Sequence, residues 1–418
     1  MTAMPDRLAI DGGTPVRQVP YPRGRGAELL GAEEIRRATG VLGDGALFRY
    51  GPTAGGRVTA VEDELRRRCG TRHALALSSG STALSTALTA LGVGEGDEVI
   101  VPAVTFVATV GAVVMARAVP VFAEVDDSLT LDPASVAANV TELTRAVIPV
   151  HLDNVAADMT GIGRVATRHG LFVLEDAAQA AGVRFHGRPA GSFGDAAALS
   201  FQQGKNITCG EGGALLTSDW DVYDRALRFH DQGGQFTTST GSRSHHSGAP
   251  FIGTNQRMTE LAAAVLSAQL DRLDGIVSRC REVARAIRDA LGDLPLTWRR
   301  LPDPTGEGGS LIFFTEDAKT AARFAAALAG EGIPAGQMYG GAPVYLNPAV
   351  LEQRTAWSDG CPFACPRHPT TRRYHPGLCP VSEDLFGRSV IVAVSPVMTD
   401  RDAEDVVTAV HKVARHLL

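Results

Sequence analysis

The sequence predicts an α/β fold, with a mainly parallel central sheet covered by helices on both faces and a smaller C-terminal α+β domain. Three observations carry that expectation. Between about residues 72 and 220, short apolar runs alternate with segments of helical periodicity. A long amphipathic stretch follows, and beyond it strand-like and helix-like segments resume. At 418 residues the chain also exceeds the size at which one hydrophobic core keeps growing, so two domains are expected.

In the first region HALALSS, DEVIVPA, VPVFAEV, AVIPVHL, LFVLEDAA, AAALSF and ALLTS read as strands. TALSTALTALG, FVATVGAVVMARA and MTGIGRVATRHG lie between them and repeat apolar residues at helical spacing. Strands and helices alternating at these lengths imply βαβ units and a parallel sheet with both faces covered. Ligands of such sheets bind outside the carboxyl ends of the strands, so the residues just after each strand are where chemistry is expected. The stretch 258–291 reads as a long amphipathic helix joining a large domain (1–275) to a small one (276–418). In the small domain SLIFFTE, AKTAARFAAALAGEGI, SVIVAVS and DAEDVVTAVHKVARHL form another strand–helix series, interrupted by an irregular insertion rich in Pro, Cys and His (342–380).

Composition is that of an ordinary globular protein, 44% hydrophobic and 21% charged. A net charge of −6 gives no reason to expect nucleic acid or an anionic membrane as partner. The first residues lack the apolar core of a signal peptide, and no run approaches the roughly 20 apolar residues that span a bilayer. The six cysteines are too dispersed for a disulfide framework in so long a chain. A cytoplasmic protein is the expectation.

Three segments carry chemistry. In LSSGSTALSTAL a strand runs through Ser78-Ser79-Gly80-Ser81-Thr82 into a helix. Small residues at a helix start leave N–H groups free to face an anion, which suits a phosphate monoester; an ordinary N-cap would look the same. In LFVLEDAAQAAG a strand ends in Glu175-Asp176, with Gln179 three residues on. A carboxylate there could keep a pyridine nitrogen protonated, the condition under which pyridoxal 5'-phosphate (PLP) acts as an electron sink, or it could merely cap a helix. In ALSFQQGKNITCGEGGALLTS, Lys205 follows a strand in a loop with few bulky residues. Most loop lysines are simply solvated, but one drawn close to a cationic pyridinium can lose its proton and bind the cofactor covalently.

Together with GxPV near the start, PAVTFVATV, VHL…ADM, GTNQRMTELAAA and LCPVSE, these segments occur in an order that resembles the DegT/StrS-type sugar and cyclitol aminotransferases over nearly the whole chain. The resemblance implies a fold type I PLP enzyme. Lys205 would be the cofactor-holding lysine and the acid/base of the proton shift, Asp176 the partner of the pyridine nitrogen, and Gln179 the contact to the ring 3-hydroxyl. Gly80, Ser81 and Ser200 would bind the phosphate, with Ser79 or Thr82 close by, and Phe106 would stack on the ring. Asn255 matches a residue that reaches the phosphate of the neighbouring subunit, which implies a homodimer with shared active sites.

A lysine at 205, where some sugar-deoxygenating relatives carry histidine, favours transamination from glutamine or glutamate to a keto-sugar or cyclitol ketone. The SFQ-x-x-K form and the LAIDGGTPVR opening place the chain nearer the antibiotic-pathway branch, with aminoglycoside-like secondary metabolism as the expected setting. The alternatives are a PLP-dependent dehydratase or aromatising enzyme on a cyclic keto substrate, and a non-catalytic sensor of the same fold.

The loop His151-Leu152-Asp153-Asn154-Val155-Ala156-Ala157-Asp158-Met159 departs from the family's HLYGQPADM pattern. Asp153 is therefore a candidate substrate contact, one that an amine on the acceptor could pair with, against the reading of a drifted solvent loop. Tyr339 and Tyr345 fall where relatives present aromatic residues to substrate. Cys361, Cys365, His368, His375 and Cys379 could be read as zinc ligands, but a tight Cys-x2-Cys pair is missing and relatives carry a similar stretch without a metal. No metal is expected.

Overall fold

In the computed structural model of the chain, residues 7–50, 56–234, 249, 251–365 and 370–418 are described. All seven predicted strands form one sheet: β1 (His73–Leu77), β2 (Glu98–Pro102), β3 (Val119–Ala123), β4 (Thr144–Val147), β5 (Phe172–Asp176), β8 (Ala196–Ser200) and β9 (Gly213–Thr217). A small hairpin of β6 (Arg184–Phe185) and β7 (Arg188–Pro189) stands apart from it. The spatial order is β1-β9-β8-β5-β4-β2-β3. Every pairing is parallel except those of β9, which runs against both β1 and β8.

Alternate residues of these strands enter two different cores, which is why the runs are apolar throughout. Ala74, Ala76, Leu199 and Leu216 join one cluster; Leu75, Leu77, Ala198 and Leu215 join the other. The helices that cover the sheet and lead into it are α1 (Ala32–Asp44), α2 (Arg57–Cys69), α3 (Gly80–Ala90), α4 (Val107–Met115), α5 (Pro133–Asn139), α6 (Met159–His169), α7 (Trp220–His230) and α8 (Glu260–Leu270).

The expected single helix over 258–291 is two, α8 and α9 (Leu273–Ala290), broken at Asp271-Arg272. No glycine or proline marks the break. Arg272 there reaches back to the Leu29 carbonyl (2.7 Å) and Glu34 (2.6 Å). The domain boundary expected after residue 275 thus falls inside α9, whose buried Ile276, Val277, Val283 and Ile287 share one cluster with both sheets. The second sheet, β10 (Thr297–Trp298), β11 (Ile312–Phe314), β12 (Ala335–Gly336) and β13 (Ser389–Val392), is antiparallel in the order β10-β11-β13-β12. Helices α10 (Ala318–Gly330), α11 (Pro348–Leu351), α12 (Pro380–Gly387) and α13 (Asp400–Leu417) complete the chain. No helix among the described residues is long and apolar enough to cross a membrane.

Candidate active site

The carboxyl ends of β1, β4, β5 and β8 bring the chemistry-bearing segments together. Where β1 enters α3, Ser79 accepts a hydrogen bond from Thr82 N (3.1 Å) while Thr82 Oγ1 accepts one from Ser79 N (3.0 Å). The side chains of Ser79 and Thr82 are thus committed to capping. Gly80 and Ser81 are different. Their N–H groups stand in the first turn, where no helical carbonyl can accept from them and the helix dipole favours an anion. A Cβ on Gly80 would lie 2.7 Å from Ser200 Cβ and 3.1 Å from its Oγ, so only glycine lets the helix start meet the end of β8. Gly213 is constrained likewise, a Cβ there lying 2.3 Å from the Ser79 carbonyl. The open N–H groups of this helix start thus lie next to the Ser200 hydroxyl, a cradle that could accept an anion.

Asp176 closes β5 and is buried. Its Oδ2 accepts from Thr109 Oγ1 (2.8 Å) and its Oδ1 from Ala178 N (3.1 Å). Burial raises its pKa, an effect opposed by these hydrogen bonds and by the positive charge of Lys205. Lys205 is half-buried, and burial lowers its pKa against the pull of Asp176. Its loop is fixed by Lys205 N donating to the Gln202 carbonyl (2.9 Å) and by Asn206 Nδ2 donating to the Ala181 carbonyl (2.8 Å). The site therefore holds an acid and an amine whose charged forms are both disfavoured by desolvation.

Three further residues, Thr109, His151 and Glu175, position the Asp176 carboxylate. Thr109 lies in the quoted TFVAT segment, where only Phe106 received a role. His151 and Glu175 are fully buried and joined through Nε2 and Oε2 (2.9 Å). Because His151 Nδ1 accepts from Ala157 N (3.1 Å), the ring proton sits on Nε2 and is donated to Glu175. Glu175 also accepts from the N–H groups of Gly191, Phe193 and Gly194 at 2.6–2.8 Å. With His151 N bonded to the Asp176 carbonyl (3.0 Å), this network fixes the strand end that carries Asp176. The ED and VHL motifs contained the signal; only the fold shows that their side chains meet.

The rim is built differently. Gln179 Oε1 accepts from Asp153 N (3.0 Å), and Gln179 Nε2 donates to Tyr339 Oη (2.9 Å). The Tyr339 ring lies 5.7 Å from that of Phe106, which is 52% exposed at the mouth, as a residue that stacks on a ligand must be. Asp153 and Asn154 adopt left-handed conformations (φ 44° and 62°). At 154, where the family pattern has glycine, asparagine is among the residues best able to adopt that geometry. The Asp153 carboxylate accepts from Ser310 Oγ (2.6 Å), which in turn accepts from Arg299 Nη1 (3.3 Å). Arg299 is buried, and burial lowers its pKa to about 10 against the attraction of Asp153. Asp153 is thus tied to the segment between β10 and β11 rather than held out freely for an amine.

Tyr345 does not reach the site. It is fully buried, donates to Glu383 Oε1 (2.6 Å), accepts from Cys379 N (3.1 Å) and packs on Phe122. Its apolar ring and hydroxyl are both satisfied in the core. Asn255 is exposed, bridges to Asp231 and accepts from Arg257 N (3.3 Å). Among the described residues no hydrogen bond joins it to the cradle of its own chain. Of the five residues considered for zinc, His368 lies outside the described residues, and only Cys361 and Cys365 come together.

An anion cradle, a buried carboxylate and a lysine of lowered pKa fit a phosphorylated pyridine aldehyde, and they define the class as a fold type I PLP enzyme. The chain belongs to the DegT/DnrJ/EryC1/StrS aminotransferase family, whose model matches residues 29–411. It is 34% identical to the L-glutamine:2-deoxy-scyllo-inosose aminotransferase of Streptomyces kanamyceticus, with 100% of this chain and 99% of the relative covered. It is also 34% identical to the spore coat polysaccharide biosynthesis protein SpsC of Bacillus subtilis, covering 93% and 96%. Among solved structures, S. venezuelae DesV matches with a TM-score of 0.79 and 32% identity, covering 94% of this chain and 99% of that one. 3-Amino-5-hydroxybenzoic acid synthase matches with the same TM-score at 28% identity, covering 95% and 100%. The family and these neighbours are PLP-dependent.

Proposed function

We propose that this sugar or cyclitol aminotransferase takes its amino group from glutamine or glutamate and delivers it to a cyclitol ketone or keto-sugar in secondary metabolism. The observation that carries the reading is the electrostatic contact of Lys205 with the buried Asp176, at the same sheet end as Gly80 and Ser200. Full-length similarity to a glutamine-dependent cyclitol aminotransferase supports the choice of donor and acceptor. The rim suits a polyhydroxylated ring, since Gln179, Asp153 and the Tyr339 hydroxyl offer polar contacts around one aromatic wall.

PLP, when bound, supplies the electron sink that stabilises the carbanion formed at the donor's Cα. Gly80, Ser81 and Ser200 would hold its phosphate, and Asp176, oriented by Thr109, would keep the ring nitrogen protonated. Lys205 Nζ is more readily neutral than an ordinary lysine, so once freed it would accept the proton from the donor's Cα and deliver it to the cofactor's aldehyde carbon, with the reverse transfer serving the acceptor. Phe106 and Tyr339 would exclude water from one side.

A homodimer with shared sites and a cytoplasmic location belong to the same proposal. Asn255 is exposed beside Ile252, which is 95% exposed, and Arg257 stacks on the exposed Phe48 ring. A second copy would cover that surface and bring a phosphate within reach of Asn255.

The test is mass spectrometry of products from a panel of cyclitol ketones and keto-sugars with glutamine or glutamate. The expected product exchanges a carbonyl oxygen for an amine; loss of water instead would establish a dehydratase. Lys205→Ala should lower turnover by about a thousandfold or more and leave no cofactor on the Lys205 peptide after borohydride reduction. Retained turnover in that variant would overturn the assignment.

A further inference from the structure

We propose that Glu95, Cys361 and Cys365 form a divalent metal site of the zinc class that clips the 342–380 excursion to the edge of the large sheet. Glu95 lies in the turn before β2, at the amino end of that strand, whereas the cofactor cradle occupies the carboxyl ends. Cys361 and Cys365 are buried, and their Sγ atoms and a Glu95 carboxylate oxygen all lie within 4.8 Å of one another. The two cysteines lie on one turn, closed by Ala364 N bonding the Gly360 carbonyl (2.9 Å). Cys365 Sγ donates to Glu95 Oε1 at 2.9 Å, so a proton now occupies a place between two ligand atoms.

Zinc–thiolate bonds of about 2.3 Å and zinc–carboxylate bonds of about 2.0–2.2 Å need tetrahedral ligand atoms less than about 4 Å apart, a small contraction from the present cluster. Most of the charge is offset, one negative charge remaining once Asp359 is counted beside Arg117. Two thiolates and one carboxylate supply three negative charges, which a divalent ion and the guanidinium of Arg117, 3.6 Å from Glu95 Oε2, offset. Arg117 is itself held by Asp359 (2.6 Å), whose other oxygen accepts from Cys361 N (3.0 Å). The site is held in place from the other side as well. Arg372 pairs with Glu98 (2.8 Å) and Tyr374 Oη donates to the Pro120 carbonyl (2.7 Å), tying the following segment to the same sheet edge. Glu95 is only half-buried, which leaves the fourth position to solvent. The softness of two sulfur ligands favours zinc over magnesium or calcium.

The test is a zinc titration of the reduced holoenzyme against a chromophoric chelator, with cobalt(II) as a spectroscopic substitute. One equivalent per chain is expected, and the cobalt form should show thiolate charge-transfer absorbance. Cys361→Ser with Cys365→Ser should abolish both signals, and Glu95→Gln should weaken zinc binding more than tenfold. Cys280→Ser, a buried cysteine elsewhere, should change neither. Should the double variant be insoluble, Glu95→Gln and single Cys365→Ser provide the same comparison. Absence of a tight site in the reduced wild type, or a Cys361–Cys365 disulfide as the resting state, would overturn the proposal. Cofactor absorbance and amino transfer report on the opposite end of the strands, so either outcome leaves the aminotransferase reading to its own test.

Discussion

The floor and the rim of the active site are made of different material. Asp176 and Ser200 end strands of the large sheet, and Gly80 opens a helix packed against them. Their positions follow from strand pairing, and their surroundings are buried and almost saturated with hydrogen bonds. Asp153, Asn154 and Tyr339 sit in loops, all with positive φ, and their hydrogen bonds run between loops: Asp153 to Ser310, Asn154 to Gly308 and Asn206, and Tyr339 to Gln179. Under the proposed function, reaction class belongs to the strand-borne floor and acceptor choice to the loops of the rim, which tolerate remodelling.

That contrast can be broken at Asp176. Asp176→Asn should lower kcat by about 10²–10³, the usual cost of removing one preorganised electrostatic partner of the reacting group. Cofactor binding should survive, because the cradle is untouched. Stopped-flow absorbance of the two half-reactions checks this, and a variant that keeps wild-type rates in both would mean that the floor does not set the chemistry. Thr109→Val sharpens the same point from one residue away. It removes the hydrogen bond to the Asp176 carboxylate, worth about 1.5–3 kcal/mol, and should slow kcat about tenfold or more with little change in KM.

The two regions also differ in how far they could be read from sequence. All seven strands of the large sheet were legible because each carries apolar side chains to two cores. Lys205 and the SSGST turn stand out in sequence because each follows a strand, and Asp176 because it ends one. The antiparallel course of β9 was not, since an apolar run has no direction in sequence. His151 and Glu175 were quoted within motifs, yet their meeting across β4 and β5 needs the strand register. At the rim, Tyr339 and Tyr345 looked alike as loop tyrosines; packing sent one to the mouth and buried the other against Phe122. Asn154 looked like a change of chemistry at a glycine position, and its left-handed backbone accounts for much of it. The helix break at Asp271-Arg272 had no glycine or proline to announce it.

A rim variant should behave unlike any floor variant. Asp153→Asn and Ser310→Ala both disturb the carboxylate held by Ser310 beside the buried Arg299. Each should reorder kcat/KM among acceptor ketones by a few-fold to about tenfold, leaving the donor half-reaction and cofactor affinity unchanged. Competition between two acceptors, read by mass spectrometry, measures it. An equal loss on every acceptor would mean that Asp153 acts on the floor through Gln179.

The smallest effect is on stability, and it separates the regions by its pH dependence. Burial holds the Lys205 pKa below its ordinary 10.5, so between the folded and unfolded pKa values the unfolded chain binds more protons. The cofactor-free protein is therefore destabilised by this charge at neutral pH, and the loss disappears as pH rises through the folded pKa toward 10.5. Lys205→Met should raise the Tm of the cofactor-free protein by roughly 1–3 °C near neutrality, with the gain shrinking as pH rises. Adding Asp176→Asn should extend the gain, because burial raises that carboxyl's pKa and removing Lys205 alone deprives it of a cation. Tyr339 provides the contrast. Burial lifts its hydroxyl to about 12, so it is neutral throughout the range and Tyr339→Phe should shift Tm by an amount that does not vary with pH. Calorimetry of the three variants between neutral pH and about 10 decides the matter. A Lys205→Met gain that is flat with pH would mean that the lysine is stored at the floor without electrostatic cost, and that its neutrality during proton transfer must come from the bound cofactor alone.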